Sequence, residues 1–279
     1  MSEGIAELGF ACRDGVTRLT DLYQRDPLRV LFPAPAVGDP VLAVILTTSG
    51  GLVAGDRLDI SIRLGTGAAA HVTASAAEKI YRSIGPTTAI CQSLSVASSA
   101  SLEFLPPETI LFNGARLRRT TTVDLVQDAG FLGGGILVFG RRARGEIYTN
   151  GLLHEGWEFR RDGALVWGDA LHIADEPRGD VAAIMADPAC FDGAAACATL
   201  VMVPPHRRDP RSFVEAAREI QARTASPGFR AGVTAVGGLL LARWLGDALP
   251  VRRAYAELAC HLRQAAMGLP PRLPRLWDV

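Results

Sequence analysis

Three glycines and an Asp-Arg pair stand directly behind an apolar run in TTSGGLVAGDRL, residues 47–58. Gly50, Gly51 and Gly55 could turn backbone N–H groups toward a phosphate, and Asp56 could act as a catalytic acid or a metal ligand. The phosphate reading fails on chemistry. A P-loop needs a lysine for the phosphates and a hydroxyl for magnesium, whereas Gly55 is followed by Asp56, whose carboxylate repels phosphate. A dinucleotide fingerprint fails as well, because the glycine spacing is wrong and the next segment has the period of a strand. GFLGGGILVFG (130–140) carries three consecutive glycines, which in a β-rich chain mean close backbone approach or a bulge.

Acyl transfer needs an activated nucleophile, and the chain has no G-x-S-x-G. The histidines, His71, His154, His172, His206 and His261, form neither H-E-x-x-H nor H-x-H, which favours structural roles for each. Cys12, Cys91, Cys190, Cys197 and Cys260 form no C-x-x-C pair and read as buried free thiols in a reducing compartment. Lys+Arg and Asp+Glu both number 29, so no basic field draws nucleic acid or an anionic membrane. Charges scattered through the first 30 residues interrupt any signal-peptide core, and no apolar run spans a bilayer, so a cytoplasmic location is expected.

Any such groups must be positioned by a β-rich body. In RLDISIRL, Leu58, Ile60, Ile62 and Leu64 share one face, and Leu117, Val123 and Leu125 do the same in RLRRTTTVDLV. Asp162-Gly163 suits a tight hairpin turn, and Gly and Pro punctuate the rest every 8 to 12 residues. That spacing predicts an antiparallel, multi-stranded body over about residues 10–205. A helical portion follows at about 209–279. Asp209 and Pro210 predict a helix start ahead of Phe213, Ala216, Ala217 and Ile220. Tyr255, Leu258, Ala259 and Leu262 mark a second helix, closed by Gly268 and Pro270. Residues 1–279 are expected to form one domain, with Trp277 of the tail docked on its own body.

Four segments taken together resemble the urease accessory protein UreD (UreH) family. They are TTSGGLVAGDRL, EKIYRS (78–83), LEFLPPETILFNGARL (102–117) and FGRRARGEIYTNG (139–151), in the family's order and spacing. GLLLARWLG (238–246) and PPRLPRLWDV (270–279) resemble its C-terminal end. The resemblance implies a mainly β fold, a β-helix-like stack of antiparallel or mixed strands, with two or three helices in the C-terminal third. It implies a chaperone rather than an enzyme, one that binds apo-urease and works with UreF and the GTPase UreG to bring nickel to the urease active site.

No cofactor would then be held stably, and nickel(II) would pass in transit. On the family's pattern Asp56 and Glu146 would face an internal tunnel as transient nickel or water contacts, with Gly50, Gly51, Gly55, Arg141 and Gly145 as its framework. Simpler roles stay open, since Asp56 could cap a turn or pair with Arg57, and Glu146 could pair with Arg141 or Arg144. The rival readings are a carboxylate- or metal-dependent hydrolase with a β-rich fold and a β-scaffold with no metal role.

Overall fold

The computed structural model describes residues 2–126, 128–175, 179–224 and 228–278; Met1 and Val279, the limits of the expected domain, lie outside the described residues. The chain opens with β1 (Glu3–Arg13) and β2 (Val16–Arg25), joined by a turn at Asp14-Gly15, and a short β3 (Leu28–Leu31). A winding section follows: β4 (Val41–Thr47), β5 (Arg57–Leu64), β6 (Ala69–Ala74), β7 (Glu78–Ile80) and β8 (Thr88–Val96). It continues through β9 (Ser101–Phe104), β10 (Thr109–Leu111), β11 (Arg116–Leu125), β12 (Gly130–Phe139) and β13 (Leu152–Arg161). The remainder is β14 (Ala164–Ala174), α1 (Val181–Ala186), β15 (Ala196–Val203), α2 (Val214–Arg223), β16 (Arg230–Val236), β17 (Leu239–Gly246) and α3 (Ala248–Met267).

The winding section forms a solenoid. β5, β8, β11 and β13 lie side by side in parallel in one sheet, while β4, β6, β9 and β12 do so in the other. Short β7 and β10 join beside β12 as a narrow third face. Equivalent positions recur about every 30 residues, the period of a stacked-coil architecture. The mainly β stack is as expected, but its centre is parallel where the turn spacing predicted antiparallel neighbours. Gly and Pro punctuation marks where a strand ends and says nothing of where the next one pairs. Antiparallel pairs lie outside the central coils, as at β1/β2, β13/β14 and β15/β17/β16.

The inward faces of the two sheets pack together. Leu58, Ile60, Ile62 and Leu64 are buried there, as are Leu117, Val123 and Leu125, so the period-two reading of both strands holds. Asp162 and Gly163 both take positive φ at the β13/β14 turn, the hairpin their sequence predicts.

A second core covers the outer face of the β12/β15/β17 region, where α2 and α3 lay down Ala217, Ile220, Leu258 and Leu262. The Asp209 side chain accepts from the Arg211 N–H (2.9 Å), and a 3-10 turn at Pro210–Phe213 leads into α2. Gly268 ends α3 in the left-handed conformation. Trp277 docks as predicted, stacked on Tyr255 at 5.7 Å with its indole N–H donating to the Leu105 carbonyl. No described helix is long and apolar enough to cross a membrane. All five cysteines are free; Cys190 is exposed in the turns after α1 and the other four are half-buried, which corrects the expectation of five buried thiols.

Tyr255 gives a first prediction. Its ring is fully buried between Trp244 and Trp277, and its hydroxyl has no hydrogen-bond partner among the described residues. Burying an unpaired hydroxyl costs about 1–3 kcal/mol. Tyr255→Phe is therefore expected to raise stability by about 1 kcal/mol, read as a Tm gain of about 2–4 °C. A fall in Tm would show that the hydroxyl is paired in solution.

Candidate functional site

The narrow third face explains why four distant sequence segments belong together. Leu52 bridges Ile80, Ile80 aligns with Leu111, and Leu111 aligns with Phe139, all in parallel. These four residues form one buried row across successive coils. Just past the row the chain emerges from each coil at neighbouring positions, bringing the 47–58 turn, Tyr81, Phe112 and Arg141 together along one edge of the solenoid.

Contacts there run from coil to coil. Gly51 has φ 153°, and a Cβ on it would sit 2.6 Å from the Tyr81 ring and 3.0 Å from the Lys79 carbonyl oxygen, so glycine lets the turn close over Tyr81. The Tyr81 hydroxyl donates to the Gly50 carbonyl at 3.1 Å. The Tyr81 ring meets Phe112 edge-on at 4.9 Å, and the Arg141 guanidinium lies 4.0 Å above Phe112. Arg141 then holds Glu146, with Nη2 donating at 2.5 Å and Nε at 3.3 Å. The Asn113 N–H donates to the same carboxylate at 3.1 Å. The Arg141 hydrogen bond, opposed by slight burial and aided by Asn113, keeps the Glu146 carboxyl below the usual carboxylate range. Gly145 closes the 3-10 turn between the two partners.

Asp56 is buried at the start of β5. One carboxylate oxygen accepts from the Ser2 N–H (2.7 Å) and the other from the Val53 N–H (3.0 Å). The turn-capping alternative is thus what the structure shows, and Arg57 pairs with Asp59 instead. Glu146 takes Arg141 as its partner. Gly50 and Gly55 both take positive φ in the Asp56 turn.

Behind the glycines, between the sheets, lies a cavity of about 170 Å³. Gly50 and Gly51 line it together with Thr47, Glu78, Gln92 and Arg119, but Asp56 and Glu146 do not. Thr47 donates to Glu78 at 2.5 Å. Arg119 donates through Nε to both Glu155 oxygens (2.7 and 3.0 Å) and through Nη1 to Thr109 (2.8 Å). The Trp157 indole N–H adds a bond to Glu155 at 3.1 Å. Burial pushes both glutamates up; Thr47 and the Lys79 N–H oppose it at Glu78, and Arg119 and Trp157 at Glu155.

Sequence reasoning passed over Glu78, Arg119 and Glu155. A signal did exist for two of them. Arg119 occupies an inward position between Leu117 and Val123, and Glu155 does so between Leu153 and Trp157, where period two calls for apolar side chains. A charge on the buried face of a strand is costly, so its presence points to a partner inside.

This edge of the solenoid offers carboxylates, hydroxyls and guanidinium groups in a partly buried setting. Among the described residues no group of three or more His, Cys, Asp or Glu side chains is placed to hold a metal ion. The chain's likeness to known proteins spans nearly its whole length. A model of the UreD urease accessory protein family matches residues 2–278. The urease accessory protein UreD of Magnetococcus marinus is 41% identical over 280 residues, covering 99% of this chain and 94% of its own. That of Methylobacterium sp. strain 4-46 is 41% identical over 281 residues, covering 99% and 95%. That of Granulibacter bethesdensis is 40% identical over 250 residues, covering 89% and 99%. With the family model matched over residues 2–278 and relatives 41% identical over 99% of the chain, the chain belongs to the UreD family of urease accessory proteins.

Proposed function

We propose that this chain is a non-catalytic scaffold for urease maturation, which binds apo-urease and, with UreF and the GTPase UreG, helps nickel(II) reach the urease active site. The observation that carries the reading is the family match from one end of the chain to the other. The oxygen-rich interior around Glu78, Arg119 and Glu155 supports it. Nickel(II) accepts carboxylate, imidazole and water ligands, and an ion in transit needs contacts weak enough to release it. Nickel is cargo here, and GTP chemistry belongs to the partner. The chain would act in the cytoplasm, where the urease subunits are assembled.

Asp56 and Glu146 are proposed as transient nickel or water contacts. Each carboxylate oxygen has two lone pairs, so Asp56 keeps acceptor capacity beyond its two N–H bonds. Asp56→Ala and Glu146→Ala are expected to lower the nickel content and activity of urease several-fold when co-expressed with UreF, UreG and the urease subunits, while pull-down still recovers the complex. Asp56→Ala also strands two N–H groups and should cost about 1–3 kcal/mol, so its Tm is measured alongside. Full maturation with both variants would remove the two residues from the path. Loss of the complex itself would make their role structural.

A further inference from the structure

His154 and His172 are separated by a whole hairpin in the sequence, yet the β13/β14 register sets them directly opposite each other. The Asp175 N–H bonds the Gly151 carbonyl at 3.0 Å, which makes 151 and 175 a hydrogen-bonded pair. Pair types alternate along an antiparallel ladder, so three steps on, 154 and 172 form a non-hydrogen-bonded pair, the kind that brings side chains closest. The rings lie 5.6 Å apart between centroids, tilted by 62°. Both are on the outer face of the sheet, His154 half-buried and His172 exposed. No hydrogen bond occupies either ring among the described residues.

The floor beside them is bare. A Cβ on Gly156 would come within 3.3 Å of His154 Nε2, so this nitrogen lies over a glycine. Gly168 and Ala170 continue the small-residue floor across β14, in a shallow groove that His154 also lines. Space for an ion and its waters therefore adjoins His154 Nε2.

We propose that His154 and His172 form a two-imidazole site for an exchangeable borderline divalent cation, Ni(II), Cu(II) or Zn(II), with water completing the coordination. Metal–imidazole bonds of about 2.0–2.1 Å are met by a small rotation of two rings already this close. Imidazole is the nitrogen ligand these ions share. Arg118 of β11 and His172 of β14 are the groups acting on His154 across its two flanking strands. The Arg118 cation repels a metal ion, which keeps binding loose and exchange fast. The inference stands apart from the urease reading, because it concerns metal binding by the isolated chain.

The test titrates the purified full chain, carrying Cys190→Ser so that the exposed thiol does not compete, with Ni(II) by calorimetry and with Cu(II) by electron paramagnetic resonance. The expected result is one ion per chain with two nitrogen donors in the copper spectrum. His154→Ala or His172→Ala should each weaken binding by at least about tenfold, since the second imidazole acts at high effective concentration once the first is bound. His206→Ala, which alters an exposed histidine elsewhere, should change nothing. Thermal melts of the variants should match the parent, because neither ring is in the core. The proposal is overturned if the parent binds no ion, if either pair variant binds as the parent does, or if His206→Ala causes the same loss.

Discussion

Arg263→Ala is expected to destabilise the protein by about 3–5 kcal/mol, because it leaves the buried Glu103 carboxylate without its cation. The guanidinium, 1% exposed on α3, donates to both Glu103 oxygens (2.5 and 3.1 Å) and to Asp39 (3.0 Å). It also bonds the carbonyls of Pro270 (2.9 Å) and Arg272. One side chain thereby joins the helix, strand β9, the loop before β4 and the C-terminal tail. Without it, Glu103 is left in the protein interior with His71 alone at 3.1 Å. The measured signs should be a Tm drop on the order of 10 °C and faster proteolysis of the tail that carries Trp277.

The pH dependence should weaken with this substitution. In the parent, burial raises the Glu103 carboxyl, but His71 and Arg263 outweigh it and hold the group below the usual carboxylate range. A depressed carboxyl contributes stability at neutral pH, and that contribution is lost as pH falls through its folded value. In the variant His71 alone opposes burial, so the Glu103 carboxyl rises toward its ordinary range. Acid should therefore cost the variant less stability than it costs the parent. Arg263→Ala combined with Glu103→Gln should recover part of the loss at neutral pH. A loss under about 1 kcal/mol for the single variant would show that water reaches the carboxylates and that the network is not a buried one.

Gly134→Ala is expected to be at least as damaging. Gly134 sits in β12 opposite Leu200 of β15, and a Cβ there would lie 1.9 Å from the Thr199 carbonyl oxygen and 3.0 Å from the Leu200 Cα. Both obstacles are backbone in the middle of a sheet, so no rotamer change relieves them. The strands must separate, with loss of the adjoining ladder and of the core against α3. A cost of more than about 3 kcal/mol is expected, seen as a collapse of soluble yield or of Tm. Gly135→Ala is the control from the same triplet. Its Cβ would meet only the Arg119 guanidinium at 3.6 Å, an ordinary contact. Equal Tm values for the two variants would refute the close-approach account of GFLGGGILVFG.

What the sequence determined by itself is what local chemistry controls. The buried faces of β5 and β11, the Asp162-Gly163 turn, the Asp209 cap, the Gly268 stop and the docked Trp277 all follow from side-chain period, backbone freedom or capping within a few residues. Asp56 and Glu146 could be nominated, and their alternative partners named, from neighbours in the chain. The tertiary structure alone decided the rest. The parallel row Leu52, Ile80, Leu111 and Phe139 joins residues about 30 positions apart, and no local pattern says which strand a strand will lie beside. The same stacking pairs Arg119 with Glu155 inside the solenoid, and the hairpin register sets His154 against His172 outside it. Such contacts are made by the closure of coils and ladders, whose pairing depends on the whole buried surface; period two marks Arg119 and Glu155 as inward but does not name their partners.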